Sequence, residues 1–186
     1  MTTRIEKNWN FNAGVHFSDK LLLNNYIITL SMVVETEQVR EQNIAMERLH
    51  YFINEVLDNS IFFDLNDKKI EAFKNLNLKI CSLPEEPFDQ IIGIILLMKF
   101  NSILENKLVV TDLFIESKLG DYVKFHIVQE IAESFFTGNN WWNNASANIS
   151  NNEKNSGKKT KIVKLFDDDW LGLGLSWKDP KVCQKS

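Results

Sequence analysis

Apolar and polar positions alternate from Phe11 to Phe17, placing Phe11, Ala13, Val15 and Phe17 on one side and predicting a strand of period two. A turn is expected at Asp19-Lys20. The run Tyr26 to Val34 is β-branched and aromatic, with Ile28, Leu30, Met32 and Val34 on a shared face, so the two segments read as an antiparallel hairpin. The period then changes. Ala45, Leu49, Phe52, Ile53, Val56 and Leu57 recur at spacings of three and four, the stripe of an amphipathic helix running from Arg40 to Asp58, with Asn59 as its stop. A short apolar piece, Ile61-Phe62-Phe63, a minor helix near Lys69 to Leu76 and a short strand from Leu78 to Leu83 follow.

Pro84-Glu85-Glu86-Pro87 punctuates the chain and opens a second helix, with acids near its positive end. That helix extends to Glu105 and is apolar on most sides, including Ile91, Ile92, Ile94, Ile95, Leu96 and Leu97, which predicts burial on more than one face. Leu108 to Glu116 and Tyr122 to Val128 read as a second hairpin about Gly120-Asp121. The order hairpin, helix, small insertion, helix, hairpin predicts an α+β fold: a four-stranded antiparallel sheet of two hairpins with two main helices on one face. A ferredoxin-like sandwich is the structural alternative.

Residues 8–137 form the expected domain, 138–160 an Asn-rich linker and 161–186 a C-terminal tail. The tail combines Ile162-Val163-Lys164-Leu165-Phe166, an acidic triplet, and an apolar stretch from Trp170 to Trp177. Such a segment is too apolar to leave in water, so Leu165, Phe166 and Trp170 are candidate contacts with its own domain or with another protein.

Composition narrows the classes. With 186 residues, 44% of them hydrophobic, the chain has material for one core. A net charge of -4 supplies no long-range attraction to nucleic acid or to an anionic membrane, and neither is expected as a partner. Cys81 and Cys183 suggest neither a disulfide framework nor a cysteine-based zinc site. The residues from Met1 to Lys7 lack an apolar leader, and the run Ile91 to Met98 falls far below the ~20 residues of a membrane span, so a cytoplasmic setting is expected.

Five short segments, in order, bear a resemblance. They are Phe11-Asn12-Ala13-Gly14-Val15-His16, Leu22-Leu23-Asn24-Asn25-Tyr26, Leu57-Asp58-Asn59, Pro87-Phe88-Asp89-Gln90 and Ile115-Glu116-Ser117. Together they resemble the tunnelling fold of 6-pyruvoyltetrahydropterin synthase and 6-carboxytetrahydropterin synthase over roughly Asn10 to Phe125. The resemblance implies a homo-oligomer whose subunits close their sheets into a barrel, with sites between subunits. It also implies a Phe-Ser-Ala motif ending in a zinc histidine, where His16 sits one place late. The family's His-Gly-His-Asn-Tyr pair of zinc ligands corresponds to Leu22-Leu23-Asn24-Asn25-Tyr26, which offers no imidazole. Its Leu-Asp-His proton-transfer segment corresponds to Leu57-Asp58-Asn59, where an amide replaces the base. His50 and His126 do not repeat the spacing. A catalytic zinc normally keeps three protein ligands, so no metal and no other cofactor is expected.

What the resemblance leaves is a ligand pocket. The glutamate of the family's Tyr-Glu-Thr motif, which holds the guanidine-like edge of a pterin, corresponds to Glu116 in Ile115-Glu116-Ser117; an acid capping a solvated hairpin end is the equal alternative. Three functions follow. The first is a metal-free, non-catalytic oligomer, binding a pterin- or purine-like ligand or acting as a scaffold, with Glu116, Ser117, Asn24, Asn25, Asn59 and His16 as candidate site residues. The second is a pterin- or deazapurine-pathway enzyme with a rearranged site. The third is an interaction protein working through its tail, for example on a replication clamp.

Overall fold

The structure is a computed structural model that describes residues 3–76 and 78–130. The linker and tail read at 138–186, with Leu165, Phe166 and Trp170, lie outside the described residues. The elements are β1 (Arg4–Phe17), β2 (Lys20–Val34), α1 (Val39–Tyr51) continued by a π-helical turn (Phe52–Leu57), and β3 (Ser60–Asp64). They continue with α2 (Ile70–Lys74), β4 (Ile80–Leu83), α3 (Asp89–Leu104), β5 (Leu108–Ser117) and β6 (Phe125–Val128).

One mixed six-stranded sheet, in the order β4-β3-β1-β2-β5-β6, replaces the expected four-stranded antiparallel one. The two hairpins are present, and β2 pairs antiparallel with β5 to join them. The correction comes from the small insertion. Ser60–Asp64 adds to β1 in parallel and Ile80–Leu83 adds to β3 in parallel, with α2 as the crossover. The first hairpin turns one place earlier than expected, on Ser18 (φ 47°) and Asp19 (φ 65°), two left-handed residues that match the twist of a tight hairpin.

The helix layer is correspondingly split. α1, its π-turn and α3 cover one face, where Phe11, Tyr26, Ile28, Leu30, Leu49, Ile53, Phe62 and Phe100 are buried. Each such side chain contributes ~1.5–3 kcal/mol relative to exposure. The two main helices share one face, as expected, and the minor helix α2 lies on the other: Ile70 and Phe73 pack on Ile61, Phe63 and Ile80 in a separate cluster. Period-two alternation in β3 makes both layers possible, sending Phe62 to one and Ile61 and Phe63 to the other.

Specific contacts set α3 on the sheet. A Cβ built on Gly93 would stand 2.8 Å from Ile115 Cγ2 and 3.1 Å from Ile127 Cγ1, so glycine there permits the close approach. The Asn101 amide donates to the Val110 carbonyl at 3.1 Å and accepts from its N–H at 2.7 Å, beside the irregularity in the β2–β5 pairing. At the far end Glu105, left-handed at φ 49°, holds buried Arg48 of α1 at 2.7 Å.

Candidate functional site

A cleft of about 540 Å³ opens where the β1–β2 hairpin end, the start of α3 and the β5–β6 connection meet. Its walls include Val15, Phe17, Leu22, Asn24, Tyr26, Phe88, Asp89, Leu119 and Phe125. Strand alternation explains the choice. In the β1–β2 register Ala13 faces Asn24 and Val15 faces Leu22, so Val15, Leu22 and Asn24 share the helix-layer face with the buried Ala13 and Tyr26. These are the three positions that the motif resemblance sets against zinc histidines, and the fold gathers them around one cleft as valine, leucine and asparagine.

Those residues do not suit zinc. Asn24 supplies the only oxygen of the three side chains, and its Oδ1 already accepts from the Asn25 N–H and the Leu119 N–H, each at 2.9 Å. Asn24 thus ties β2 to the β5–β6 connection. Among the described residues there is no group of three His, Cys, Asp or Glu side chains placed to hold a metal ion.

His16 lies through the sheet from the cleft. One place beyond Val15, it points to the α2 side, 5% exposed, with its ring stacked on Phe63 at 4.7 Å and tilted against Phe73 at 5.6 Å. Its Nδ1 lies 2.5 Å from Asp67 Oδ2, a close approach without the alignment of a hydrogen bond. Asn25, next to Asn24, also faces away and donates to Asn12 Oδ1 at 3.0 Å.

Asn59 is left-handed, with φ 61°. Its N–H donates to the Asn12 carbonyl at 2.7 Å, and Asp58 Oδ1 accepts the Asn12 N–H at 2.8 Å, so the pair stitches the helix exit to β1. Glu116 faces the side opposite the cleft, with the Lys124 ammonium 3.6 Å away. Ser117, fully buried, pairs in register with Tyr26 and faces the cleft side. Of the six residues read from sequence, the fold thus brings Asn24 and Ser117 together and sets the others apart.

Sequence reading missed Asp89 and Tyr26. Asp89 opens α3 and accepts a hydrogen bond from Ser117 Oγ at 2.5 Å, while Ser117 Oγ accepts the Gly120 N–H at 3.1 Å. The Pro87-Phe88-Asp89 helix opening was the available signal, but nothing in it joins Asp89 to a serine on a distant strand. Tyr26 is fully buried against Phe11, rings stacked at 5.0 Å, and its hydroxyl makes no hydrogen bond of regular geometry. Burial, then the negative charge of Asp89, push the phenol above its ordinary range, and the Asn24 side chain opposes this. Tyr26 therefore stays protonated at neutral pH. Apolar walls, the Asp89 carboxylate, the Asn24 and Gln90 amides and the Tyr26 phenol equip the cleft to hold a ring with an N–H edge.

No family model and no curated protein matches the sequence. Among solved structures the chain is similar to the uncharacterized protein WS1659 from Wolinella succinogenes, at 13% identity and a TM-score of 0.50, covering 69% of this chain and 99% of that one. It is also similar to 6-pyruvoyl tetrahydropterin synthase from Plasmodium vivax, at 11% identity and a TM-score of 0.44, covering 68% and 97%. The Plasmodium falciparum synthase aligns at 13% identity and a TM-score of 0.41, covering 68% and 96%. The likeness to WS1659 shows the fold alone, and the same hairpins and helices carry the sequence motifs that resemble the tunnelling-fold proteins.

Proposed function

We propose that this protein is a divergent, metal-free tunnelling-fold protein that assembles with copies of itself and holds a pterin- or purine-like ligand without synthase chemistry. The observation that carries this reading is the convergence of Val15, Leu22 and Asn24 on one cleft. A cleft whose three matched positions carry no imidazole fits binding without metal chemistry. The protonated Tyr26 donates but accepts no proton near neutral pH, and Asn59 replaces the family's base with an amide.

Two carboxylates compete as the ligand anchor. Asp89 stands in the cleft, and Glu116 stands on the opposite face where the resemblance puts the pterin anchor. Either accepts parallel hydrogen bonds from an amino group and a ring N–H. Assembly is supported by β4 and β6, edge strands of four residues each, whose outer backbone groups suit pairing with another copy.

Native mass spectrometry of protein purified without added metal tests the reading first. A metal-free oligomer is the expected result, whereas one zinc per chain or a bare monomer overturns it. Titration with pterin and guanine then compares wild type with Asp89→Asn and Glu116→Gln. Loss of binding in one variant alone names the anchor, and no binding to wild type removes the ligand from the proposal.

A further inference from the structure

The mouth of the cleft carries a group of exposed large apolar side chains. Val123 is 55% exposed, Tyr122 52%, Phe88 51%, Leu119 50% and Leu22 39%. Phe88, Leu22, Leu119 and Val123 border the cleft itself. Tyr122, in the β5–β6 connection, adjoins Val123. Elsewhere among the described residues Leu21 and Leu23 are exposed on the opposite face of β2, and Val39, Leu65 and Leu76 are scattered singly. A contiguous patch of this kind marks a surface that is covered in use.

We propose that the cover is the chain's own C-terminal segment, Ile162 to Trp177, laid across the cleft mouth. Phe125, the first residue of β6, borders the cleft, and the described chain ends at Glu130, two residues past that strand. The return distance along β6 is ~13 Å. The stretch 131–161 spans on the order of 30 Å even as a coil, enough to bring the following segment back.

Composition supplies the fit. Leu165, Phe166, Trp170, Leu171 and Trp177 are the residues that an apolar, aromatic-lined mouth accommodates, while Asp167, Asp168 and Asp169 between them stay in water. Tethering raises the local concentration of the segment to the millimolar range, so weak contacts suffice. This inference is independent of which small ligand the cleft takes.

The test uses the full chain. Cys81 is buried, with its thiol pushed up to about 12 by burial, so a nitroxide reagent is directed to Cys183, beside the segment. The expected result is broadening of the backbone signals of Leu22, Phe88 and Leu119–Val123 in isotope-labelled, spin-labelled protein. Mixing spin-labelled unenriched chains with enriched unlabelled chains should leave those signals sharp. A Phe166→Ala/Trp170→Ala double variant should restore sharp signals in the first sample. Unchanged rim signals in the first sample overturn the proposal. Broadening that appears equally in the mixed sample overturns it too, and assigns the cover to a second copy.

Discussion

The two faces of the β1–β2 hairpin end treat adjacent residues in opposite ways. On the helix-layer face Val15, Leu22 and Asn24 border an open cleft. On the other face His16 is shut in by Phe63, Phe73 and Asp67 beneath α2. A single step along a strand changes face, so an imidazole one place late is no nearer to being a ligand than one on another element. The cleft face is open and carries no imidazole, while the α2 face holds one and buries it.

The strongest way to break this contrast is to move the imidazoles. Val15→His/Leu22→His/Asn24→His should convert the cleft into a zinc site, with one zinc per chain by elemental analysis and a Kd of ~1 μM or tighter, equivalent to about 8 kcal/mol. The wild type, His16 included, should bind none at that concentration. Failure of the triple variant to bind would show that the three positions do not converge as described.

Packing gives the next largest effect. Phe63→Ala removes the ring on which His16 stacks and should cost ~3–5 kcal/mol in chemical denaturation. Val15→Ala at the edge of the open cleft should cost ~1 kcal/mol. Equal losses would mean that the cleft is filled.

The same two layers differ in how they bury charge. His16 has Asp67 beside it, whereas burial in the other layer pushes Lys99 down to about 7, with the Cys81 thiol acting weakly the other way. Its folded pKa lies below the unfolded value of 10.5, so between pH 7 and 10.5 the unfolded chain holds a proton that the folded chain lacks. Stability should therefore rise with pH from 7 to about 9, above which the Cys81 thiol, raised from 9.0 to about 12 by burial, offsets the gain. Lys99→Met should abolish this rise and stabilise the protein at pH 7 by ~1–3 kcal/mol, read from urea melts at several pH values.

The smallest effect separates two neighbouring amides. Asn24→Leu strands the Leu119 N–H and should cost ~1–2 kcal/mol, whereas Asn25→Leu gives up an exposed side-chain bond to Asn12 and should cost under ~0.5 kcal/mol. Amide hydrogen exchange at Leu119 should quicken in the first variant alone.

The first hairpin and α1 were legible because each carries a periodic apolar pattern, and α3 because an apolar run of helical length follows Pro87. The first seven residues of β1 were not, since Arg4, Glu6, Lys7 and Asn8 are exposed and leave only Ile5 and Trp9 to mark a face. β3 and β4 were legible as short apolar pieces but not as sheet members, because a run such as Ile61-Phe62-Phe63 does not encode its pairing partner. The site was half legible. Local motifs located Asn24 and Ser117, but the Asp89–Ser117 bond joins α3 to β5 and exists only after both pack on the sheet.

The π-helical turn at the end of α1 bears on how this lineage can vary. Asp58 N–H bonds back five residues to the Ile53 carbonyl at 3.0 Å, so the helix contains one residue more than an α-ladder would use. Deleting any one residue of Phe52–Leu57 would let an ordinary α-ladder span the same arc, because the π-turn holds one residue more per hydrogen-bonded loop. Asp58 would still meet the Asn12 N–H, and Asn59 the Asn12 carbonyl. The segment is thus a point where a one-codon deletion is absorbed, whereas in a plain α-helix the same loss would swing the exit by about 100°.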